Sequence, residues 1–362
     1  MRIGFIGNFS ENLVDGVSVS TYILAKELVH LDHEIYFLSI SNLNRSRTNE
    51  DGIIVKEFKS RSRQAQSLKN YLSTNKDSID IFWIKSVFIP SNYLIFRYLK
   101  SNNYSYIMTP HGGYDPHVFK RGRLKKNIFY HLFDRKIIKN ATGLICISPR
   151  EYDELSKLNR NSILIPDPII TNSRIAATSQ KTTTLVYLGR LDIEHKGLLK
   201  LLDIFYHIQR LDNQVHLKLY GEGPGKSKLE KIIQKYKLKN CDIISPIFGE
   251  QKKEVLSGAA LYVQTSKWET FGRSIFEALS VGTPVAISRN CDYSEHITNY
   301  KAGVILDPEP QKASIQIIEL LSNKSLLNTY GKNGISLTSS EFESNLIAQK
   351  TVRFLLNIAG KK

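Results

Sequence analysis

The stretch Ser266-Lys-Trp-Glu-Thr-Phe-Gly-Arg-Ser-Ile-Phe-Glu-Ala-Leu-Ser-Val-Gly-Thr-Pro-Val285 carries most of the information about the fold. It follows a short apolar run, Leu261–Gln264, that predicts a strand, and it opens a helix near Gly272. A second strand is predicted at Pro284–Ile287. Strand, loop, helix and strand in this order are the repeating unit of a doubly wound α/β sheet.

Two carboxylates within this stretch lie eight positions apart. Glu269 precedes the helix, and Glu277 falls about one and a half turns inside it. The amides of Gly272, Arg273 and Ser274 form the first turn, which is the positive end of the helix and suits an anion. One carboxylate can therefore accept hydrogen bonds from a sugar, and the other from a ribose.

The same alternation of strands and amphipathic helices runs along the whole chain. Continuous apolar strands joined by helices imply parallel sheets that are covered on both faces. The other predicted strands are Arg2–Ile6, Glu34–Ser39, Ile53–Glu57, Ile81–Ile84, Tyr104–Met108, Gly143–Ile147, Ser162–Ile165, Thr184–Leu188, His216–Tyr220, Asp242–Ile244 and Gly303–Leu306.

A break in the pattern at Pro166–Thr184, with two prolines and a polar tract, predicts a linker. We therefore predict two doubly wound, Rossmann-like domains, residues 1–170 and 171–340, that face each other across a cleft. Ligands bind at the carboxyl ends of the strands in such sheets, so both domains would contribute loops to one site. The helical pattern in residues 341–362 is expected to pack back on the first domain.

Two cations follow the first strand of the second domain. Arg190 and Lys196 lie six positions apart, in a predicted loop bounded by Gly189 and Gly197. A guanidinium fork and a point charge together suit a pyrophosphate. The alternative is a pair of solvated surface cations.

Four further loops follow predicted strands. Gly221 and Gly223 lie in Tyr-Gly-Glu-Gly-Pro, and closely spaced glycines allow a turn or a close backbone approach. Ile247 follows another strand, and His111 precedes two glycines at a strand end, where it can face a cleft. Gly16 lies in the loop after the first strand, which lacks the Gly-x-Gly-x-x-Gly fingerprint of a nicotinamide site.

These motifs together resemble the retaining family 4 glycosyltransferases, which have the GT-B architecture of two facing Rossmann-like domains. The resemblance is carried by Glu-x7-Glu with Phe-Gly between and Gly-x-Pro-Val after, and by Gly-Arg-x5-Lys-Gly. It implies the transfer of a sugar from a nucleotide-sugar to a hydroxyl group, with retained anomeric configuration. Neither an enzyme nucleophile, nor a metal, nor a cofactor is implied.

The resemblance also assigns expected roles to residues. Arg190 and Lys196 would hold the diphosphate, while Glu269 and His111 would contact the transferred sugar. Glu277 would hold the ribose. The remaining donor-binding residues would be Gly16, Gly221, Gly223, Ile247, Phe271, Gly272, Arg273 and Ser274.

The segment from Lys120 to Lys139 carries eight basic residues and one acid, with an apolar stripe beneath them. The stripe consists of Leu124, Ile128, Leu132 and Phe133. One interpretation is that the segment is a solvated helix face. The other is that it binds an anionic membrane or the phosphates of a lipid-linked glycan acceptor. The residues of this predicted patch are Lys120, Arg121, Arg123, Lys125 and Lys126.

Composition limits the alternatives. The 362 residues are 41% hydrophobic, which excludes disorder, and they carry a net charge of +16. The three cysteines have neither metal-ligand nor redox spacing, and there is neither a signal-peptide core nor a run of about 18 apolar residues. We therefore predict a cytoplasmic protein that binds the cytosolic face of the membrane peripherally. Members of the resembled family with similar His-Gly-Gly and basic-helix segments often serve bacterial surface-polysaccharide assembly, so the resemblance implies this role.

Two other functions remain open. A nucleotide-sugar 2-epimerase shares the architecture and would release a sugar without any acceptor. A basic module that binds a membrane or nucleic acid would explain the charge, but it would leave the glutamates and cations without a role. No RNA-binding signature accompanies the basic residues, so nucleic acid is not predicted as a partner.

Overall fold

A computed structural model describes residues 1–7, 15–41, 45–59, 66–74, 78–120, 122–171 and 183–360. The chain forms two compact units. Unit 1 comprises Met1–Pro168 together with Ser344–Lys362, and unit 2 comprises Ile169–Glu343. The chain first passes from unit 1 to unit 2 after Pro168, two residues before the domain boundary predicted at 170. Residues 172–182 of the predicted linker lie outside the described ranges.

Unit 1 contains an eight-stranded sheet in the order β3-β4-β2-β1-β5-β6-β7-β8. All pairings are parallel except that of β3 with β4. The strands are β1 (Arg2–Ile6), β2 (Glu34–Ser41), β3 (Arg45–Thr48), β4 (Ile54–Lys59), β5 (Ile81–Lys85), β6 (Tyr106–Thr109), β7 (Gly143–Cys146) and β8 (Ser162–Leu164).

Strand β3 is not predicted by the sequence pattern. This strand reads Arg-Ser-Arg-Thr, so it lacks the apolar alternation by which a half-buried strand is recognised. It lies at the edge of the sheet, where charged side chains discourage pairing with another chain. The expectation of parallel sheets is therefore correct for the seven other strands of unit 1.

Helices cover the sheet of unit 1 and bury its apolar side chains in two clusters. The helices are α1 (Gly16–His30), α2 (Gln66–Thr74), α3 (Pro90–Ser101), α4 (Pro116–Lys120), α5 (Arg123–Phe129), α6 (Arg135–Asn140) and α7 (Pro149–Leu155). A π-helical segment, Tyr130–Asp134, joins α5 to α6.

Unit 2 contains a six-stranded parallel sheet in the order β11-β10-β9-β12-β13-β14. Its strands are β9 (Thr184–Leu188), β10 (His216–Tyr220), β11 (Cys241–Ile244), β12 (Leu261–Gln264), β13 (Val285–Ile287) and β14 (Gly303–Ile305). Its helices are α8 (Ile193–Lys196), α9 (Leu198–Leu211), α10 (Lys226–Lys235), α11 (Gly249–Gly258), α12 (Arg273–Ser280), α13 (Ser294–Asn299), α14 (Pro310–Ser322) and α15 (Lys324–Glu341).

The order of the strands reverses once in each sheet. The reversal lies between β1 and β5 in unit 1, and between β9 and β12 in unit 2. Loops leave such a point in opposite directions and open a crevice at the carboxyl ends of the two strands, which is where ligands bind in this class of fold.

The last helix, α16 (Ser344–Ala359), belongs to unit 1. Its apolar face, which includes Ile347, Phe354 and Leu355, is buried in one core cluster with Leu24 and Leu28 of α1. Ser344 Oγ also donates a 2.8 Å hydrogen bond to Glu27 on α1. The sequence pattern predicts a helix over residues 341–362 that packs on the first domain, and α16 starts three residues later.

Candidate active site

A buried ion pair lies at the strand reversal of unit 2. Lys196 Nζ is 2.6 Å from Glu269 Oε2, and the two side chains are only 16% and 12% exposed. Lys196 ends the short helix α8, which follows β9, and Glu269 follows β12. These strands are neighbours in the sheet, so their carboxyl ends bring together residues that are 73 positions apart.

Glu269 is held by three donors on one oxygen. Besides Lys196, Gln264 Nε2 donates at 2.7 Å and Ser266 Oγ at 3.2 Å to the same Oε2. Burial by itself raises the pKa of Glu269, but the charge and hydrogen bond of Lys196 outweigh it and hold the pKa below its usual value. The carboxylate is therefore charged at neutral pH, and its other oxygen can accept a hydrogen bond.

The loop that carries Glu269 packs against α8 and forms hydrogen bonds with it. The His195 and Trp268 rings stack with centroids 4.4 Å apart, and His195 Nε2 lies 3.1 Å from the Trp268 carbonyl oxygen. Lys267 N donates to the His195 carbonyl at 2.9 Å. These contacts fix Lys196 and Glu269 relative to each other, so the pair is a preorganised feature of unit 2.

Arg190 is exposed in the loop between β9 and α8. Its backbone is fixed, because Tyr187 Oη and Asp192 N both donate to its carbonyl oxygen. The glycines of the next loop pack against this segment: a Cβ on Gly221 would lie 1.9 Å from Gly189 O, and one on Gly223 would lie 2.9 Å from Leu191 N. Gly221 and Gly223 therefore bring the chain close to the Arg190 loop.

Helix α12 begins where the sequence predicts. Gly272 is its N-cap residue with φ +71°, a conformation that favours glycine. Glu277, one and a half turns in, accepts hydrogen bonds at Oε1 from Lys252 Nζ at 2.8 Å and from Arg273 Nε at 3.1 Å. Ser274 shares the first turn with Arg273. Two cations thus fix one oxygen of Glu277 and leave the other for a ligand.

Two predicted donor-binding residues have side chains in the core. Phe271 stacks on Phe276 with centroids 4.6 Å apart and meets Tyr293 and Phe342 edge-on. Ile247 is also buried. Because these side chains are occupied by packing, only their backbone groups can meet a ligand.

The fourth catalytic candidate, His111, lies in unit 1. His111 follows β6 with φ +53°, and its side chain is 4% exposed. Burial and the charge of Lys85 hold the pKa of His111 well below its usual value, so the ring is neutral. Its Nδ1 lies 3.7 Å from Asp167 Oδ1, which follows β8.

Gly16 begins α1, and Asp15 caps this helix by accepting a hydrogen bond from Ser18 N at 2.9 Å. A Cβ at Gly16 would meet no atom within 4 Å, so the packing does not require glycine there. The loop residues 8–14 before it lie outside the described ranges.

The basic segment differs from its prediction in the direction of the apolar stripe. Leu124, Ile128 and Leu132 are 74%, 50% and 51% exposed, so they face outward and do not lie beneath the charges. Phe133 is partly buried against Tyr93. A π-helical turn shifts the register after Phe129, and the buried faces of Ile137 and Ile138 fix the orientation of the segment.

The basic residues of the patch also divide into two groups. Lys120, Arg123 and Lys125 are exposed. Lys126, in contrast, donates to the Val118 carbonyl at 2.7 Å, so it serves the fold. Arg121 lies outside the described residues.

Three residues that contact predicted site residues, within one unit or the other, went unnoticed in the sequence. Gln264 and Lys252 hold the two glutamates, and Asp167 lies against His111. Gln264 ends an apolar strand and could have been suspected for that reason. Within the described ranges no group of His, Cys, Asp or Glu could hold a metal ion, and no helix is long and apolar enough to cross a bilayer.

Two family models match the chain, one on each half. "Glycosyltransferase Family 4" matches residues 14–172, and "Glycosyl transferases group 1" matches residues 169–337. The matches meet near the boundary between the two units.

Similar proteins agree with this assignment. The chain is 27% identical over 178 residues to the uncharacterized glycosyltransferase YqgM of Bacillus subtilis, covering 48% of this chain and 49% of the relative. It is 23% identical over 310 residues to the poly(glycerol-phosphate) alpha-glucosyltransferase of the same organism, covering 80% and 43%. The chain thus spans about half the length of these relatives.

A solved structure supports the fold. HepE of Anabaena, crystallised with UDP-glucose, matches with a TM-score of 0.77 at 15% identity, over 99% of this chain and 100% of that one. Since the two family models together account for residues 14–337 and the fold is that of GT-B structures, the chain belongs to the family 4 glycosyltransferases.

Proposed function

We propose that this glycosyltransferase moves a sugar from a nucleotide-sugar to a hydroxyl group of a glycan acceptor with retention of anomeric configuration. The observation that carries the proposal is the largely buried Lys196–Glu269 pair at the strand reversal of unit 2, with Arg190 exposed in the loop that follows β9. A cation and a carboxylate fixed at a ligand crevice match a diphosphate next to a sugar.

The leaving group is stabilised by positive charge. Arg190, Lys196 and the first-turn amides of α12 would meet the diphosphate, on which negative charge grows as the glycosidic bond breaks. These groups supply the charge that a metal ion would otherwise provide, so we propose a reaction without metal or cofactor. Glu277, held at one oxygen by Lys252 and Arg273, would accept hydrogen bonds from the ribose.

Glu269 is a poor nucleophile in this arrangement. Lys196, Gln264 and Ser266 all donate to Oε2 and withdraw electron density from the carboxylate. We propose that it binds a hydroxyl of the transferred sugar and forms no covalent intermediate. Attack by the acceptor on the face that the diphosphate leaves would then give retention.

Relatives guide the choice of substrates. HepE was crystallised with UDP-glucose, and a related enzyme is named as an alpha-glucosyltransferase acting on poly(glycerol-phosphate). We propose a UDP-sugar donor and a polysaccharide acceptor carried on a lipid, in cell-surface polysaccharide synthesis; nucleic acid is not among the partners.

The experiment combines binding and product analysis. UDP-sugars at 100 times their dissociation constant should stabilise the protein by about 2.7 kcal/mol in thermal unfolding. With an α-linked donor, an α-linked product in early NMR spectra supports retention, and a β-linked one refutes it. Sugar released from the donor alone, in equal amounts with and without acceptor, would instead favour the 2-epimerase.

We also propose that the exposed stripe on α5 and on the π-helical segment after it binds an anionic membrane from the cytoplasmic side. Leu124, Ile128 and Leu132 supply the apolar face, and Arg123 and Lys125 supply charge, worth about 1 kcal/mol for each residue near such a surface. Replacing the three apolar residues by Ser should abolish sedimentation with phosphatidylglycerol vesicles and leave activity on a soluble acceptor unchanged. Equal loss of both would refute a membrane role.

A further inference from the structure

The amide that donates to Glu269 is itself held by a buried phenol. Gln264 ends β12 and is 3% exposed, and Tyr262, two residues earlier on the same strand, is 0% exposed. Alternate residues of a strand point to the same face, so these two side chains lie side by side. Leu261 and Val263 point to the opposite face, where they belong to an apolar core cluster of unit 2.

Both polar atoms of the Gln264 amide have partners. Oε1 accepts a 2.6 Å hydrogen bond from Tyr262 Oη. Nε2 donates to Glu269 Oε2 at 2.7 Å and to Ser266 Oγ at 3.1 Å. If the amide were turned over, its oxygen would face the charged carboxylate across the distance that the hydrogen bond now spans. Two acceptors would then meet with no hydrogen between them, so only the observed orientation pairs every group.

The Tyr262 phenol is a constant donor. Burial raises the pKa of Tyr262 far above its usual value, and a hydrogen bond with the Ser274 side chain opposes this only in part. The phenol therefore keeps its proton throughout the neutral pH range. A second acceptor, the Leu188 carbonyl oxygen, lies 3.2 Å away. The contact with Gln264 is shorter, at 2.6 Å, so the proton points to the amide.

We propose that Tyr262 and Gln264 are positioning residues for Glu269. The phenol orients the amide, and the amide holds Oε2 of the carboxylate, which leaves Glu269 Oε1 for a hydroxyl of the transferred sugar. The contact with sugar rests on the proposed function. The amide also affects the charge, because a hydrogen bond donated to a carboxylate favours its ionised form.

Other groups also set the charge of Glu269. Burial raises the pKa of this carboxyl, and Lys196 opposes the rise most strongly, followed by His195 and Ser266. Loss of the amide should therefore raise the pKa of Glu269 without neutralising it at pH 7. The remaining titratable groups that interact with it are Tyr187 on β9, Tyr262 on β12 and Cys291 after β13, while Asp292 N donates to the Glu269 carbonyl oxygen at 2.9 Å.

The side-chain amide of Gln264 can be observed by NMR without any substrate. In protein labelled with ¹⁵N-glutamine, a Gln264→Leu variant identifies its NH₂ signals. We expect these protons to exchange slowly with water and their signals to shift at acid pH as Glu269 is protonated, which gives the pKa of Glu269. A Glu269→Gln variant should abolish the shift. Tyr262→Phe keeps the ring but removes the donor, so exchange should be faster and the pKa of Glu269 higher.

Kinetics test whether the phenol acts through the amide. Gln264→Leu should lower kcat about tenfold, the effect of losing one hydrogen bond to a charged group, with little change in donor KM. Tyr262→Phe should lower kcat about threefold, as expected for one neutral hydrogen bond, and move the acid fall of kcat to higher pH. In the double variant, Tyr262→Phe should have no further effect on kcat, because no amide is left to orient.

Tyr106→Phe is the matched control. Tyr106 is 2% exposed in unit 1, and its hydroxyl donates to the Ile137 carbonyl oxygen at 2.8 Å. This variant also loses a buried phenol hydrogen bond, so its urea midpoint should fall about as far as that of Tyr262→Phe. It should nevertheless leave kcat, the pH dependence of kcat and the Gln264 signals unchanged.

The inference is overturned if Tyr262→Phe changes neither the amide exchange nor the pKa of Glu269, or if its effect on kcat persists in full when residue 264 is leucine. If Gln264→Leu does not fold, Gln264→Glu keeps the shape and identifies the signals, and Tyr262→Phe still tests the proposal. The expected amide behaviour in a protein without transfer activity would refute the proposed function and support this inference. Transfer activity that Tyr262→Phe leaves unchanged, together with unchanged amide signals, would do the reverse.

Discussion

Lys196→Ala is the sharpest test of the active site, because the structure gives it two separable effects. If Lys196 stabilises the departing diphosphate, its loss should cost about 3–4 kcal/mol in the transition state, which lowers kcat about 100- to 1000-fold at saturating donor. The sequence predicts a loop at Lys196. It lies instead on α8 and is largely buried with Glu269.

The change should therefore also destabilise the fold. Removing one partner of a fully buried ion pair costs about 3–5 kcal/mol. Here both side chains keep some exposure, and Gln264 and Ser266 still donate to Glu269, so we expect about 2 kcal/mol in urea unfolding. The double variant Lys196→Ala/Glu269→Gln, which leaves no unpaired charge, should recover most of this stability but none of the kcat.

Lys267→Ala is the matched control. Lys267 forms an ion pair of the same length, 2.6 Å, with Glu194, but these side chains are 55% and 64% exposed. Its removal should change stability by less than about 0.5 kcal/mol and leave kcat unchanged. A Lys196→Ala enzyme with normal kcat and raised KM would reduce Lys196 to a binding residue, and one with unchanged kinetics would exclude it from the site.

Three further changes test other parts of the chain. Arg190→Lys should lower kcat about tenfold in steady-state kinetics, because a point charge cannot replace a fork; wild-type rates would contradict this. The pKa of Glu269 is lowered in the folded protein, so its contribution to stability is present above its ordinary pKa and is lost as the pH falls through the pKa of the folded state. Unfolding curves of Glu269→Gln between pH 6 and pH 3 should lack this loss. A dependence of unfolding free energy on pH equal to that of wild type would refute this prediction. Burial raises the pKa of Asp134 from 3.8 to about 6, so the carboxylate destabilises the fold increasingly as the pH rises through this range. Asp134→Asn should therefore stabilise the protein by up to about 3 kcal/mol at pH 8 and by almost nothing at pH 3. An equal stabilisation at the two pH values would contradict the raised pKa.

Local sequence was enough to predict every described strand except β3, the start of α12 and the placement of both glutamates, because apolar runs and a glycine at a helix start are local signals. The partners of those glutamates could not be predicted. The pairing of Lys196 with Glu269 depends on β9 and β12 being neighbours, and Lys252 reaches Glu277 from another helix. Such contacts depend on strand order, which periodicity does not contain.

The stripe on α5 illustrates a second limit. Spacing identifies Leu124 and Ile128 as one face of a helix, but it does not say whether that face meets the core or the solvent. The core beneath is already filled by residues such as Ile137 and Ile138. Only the packed structure reveals that the stripe is left outside.

The return of α16 to unit 1 has a consequence for synthesis on the ribosome. Unit 1 cannot complete its core until Ile347, Phe354 and Leu355 have been made, whereas unit 2 is a continuous segment, Ile169–Glu343. At about 5–20 residues per second, translation of this segment takes roughly 10–35 s. During that time the apolar face of α1 lacks its contacts with α16, while unit 2 can already fold. Unit 1 is therefore translated first but completes its fold last.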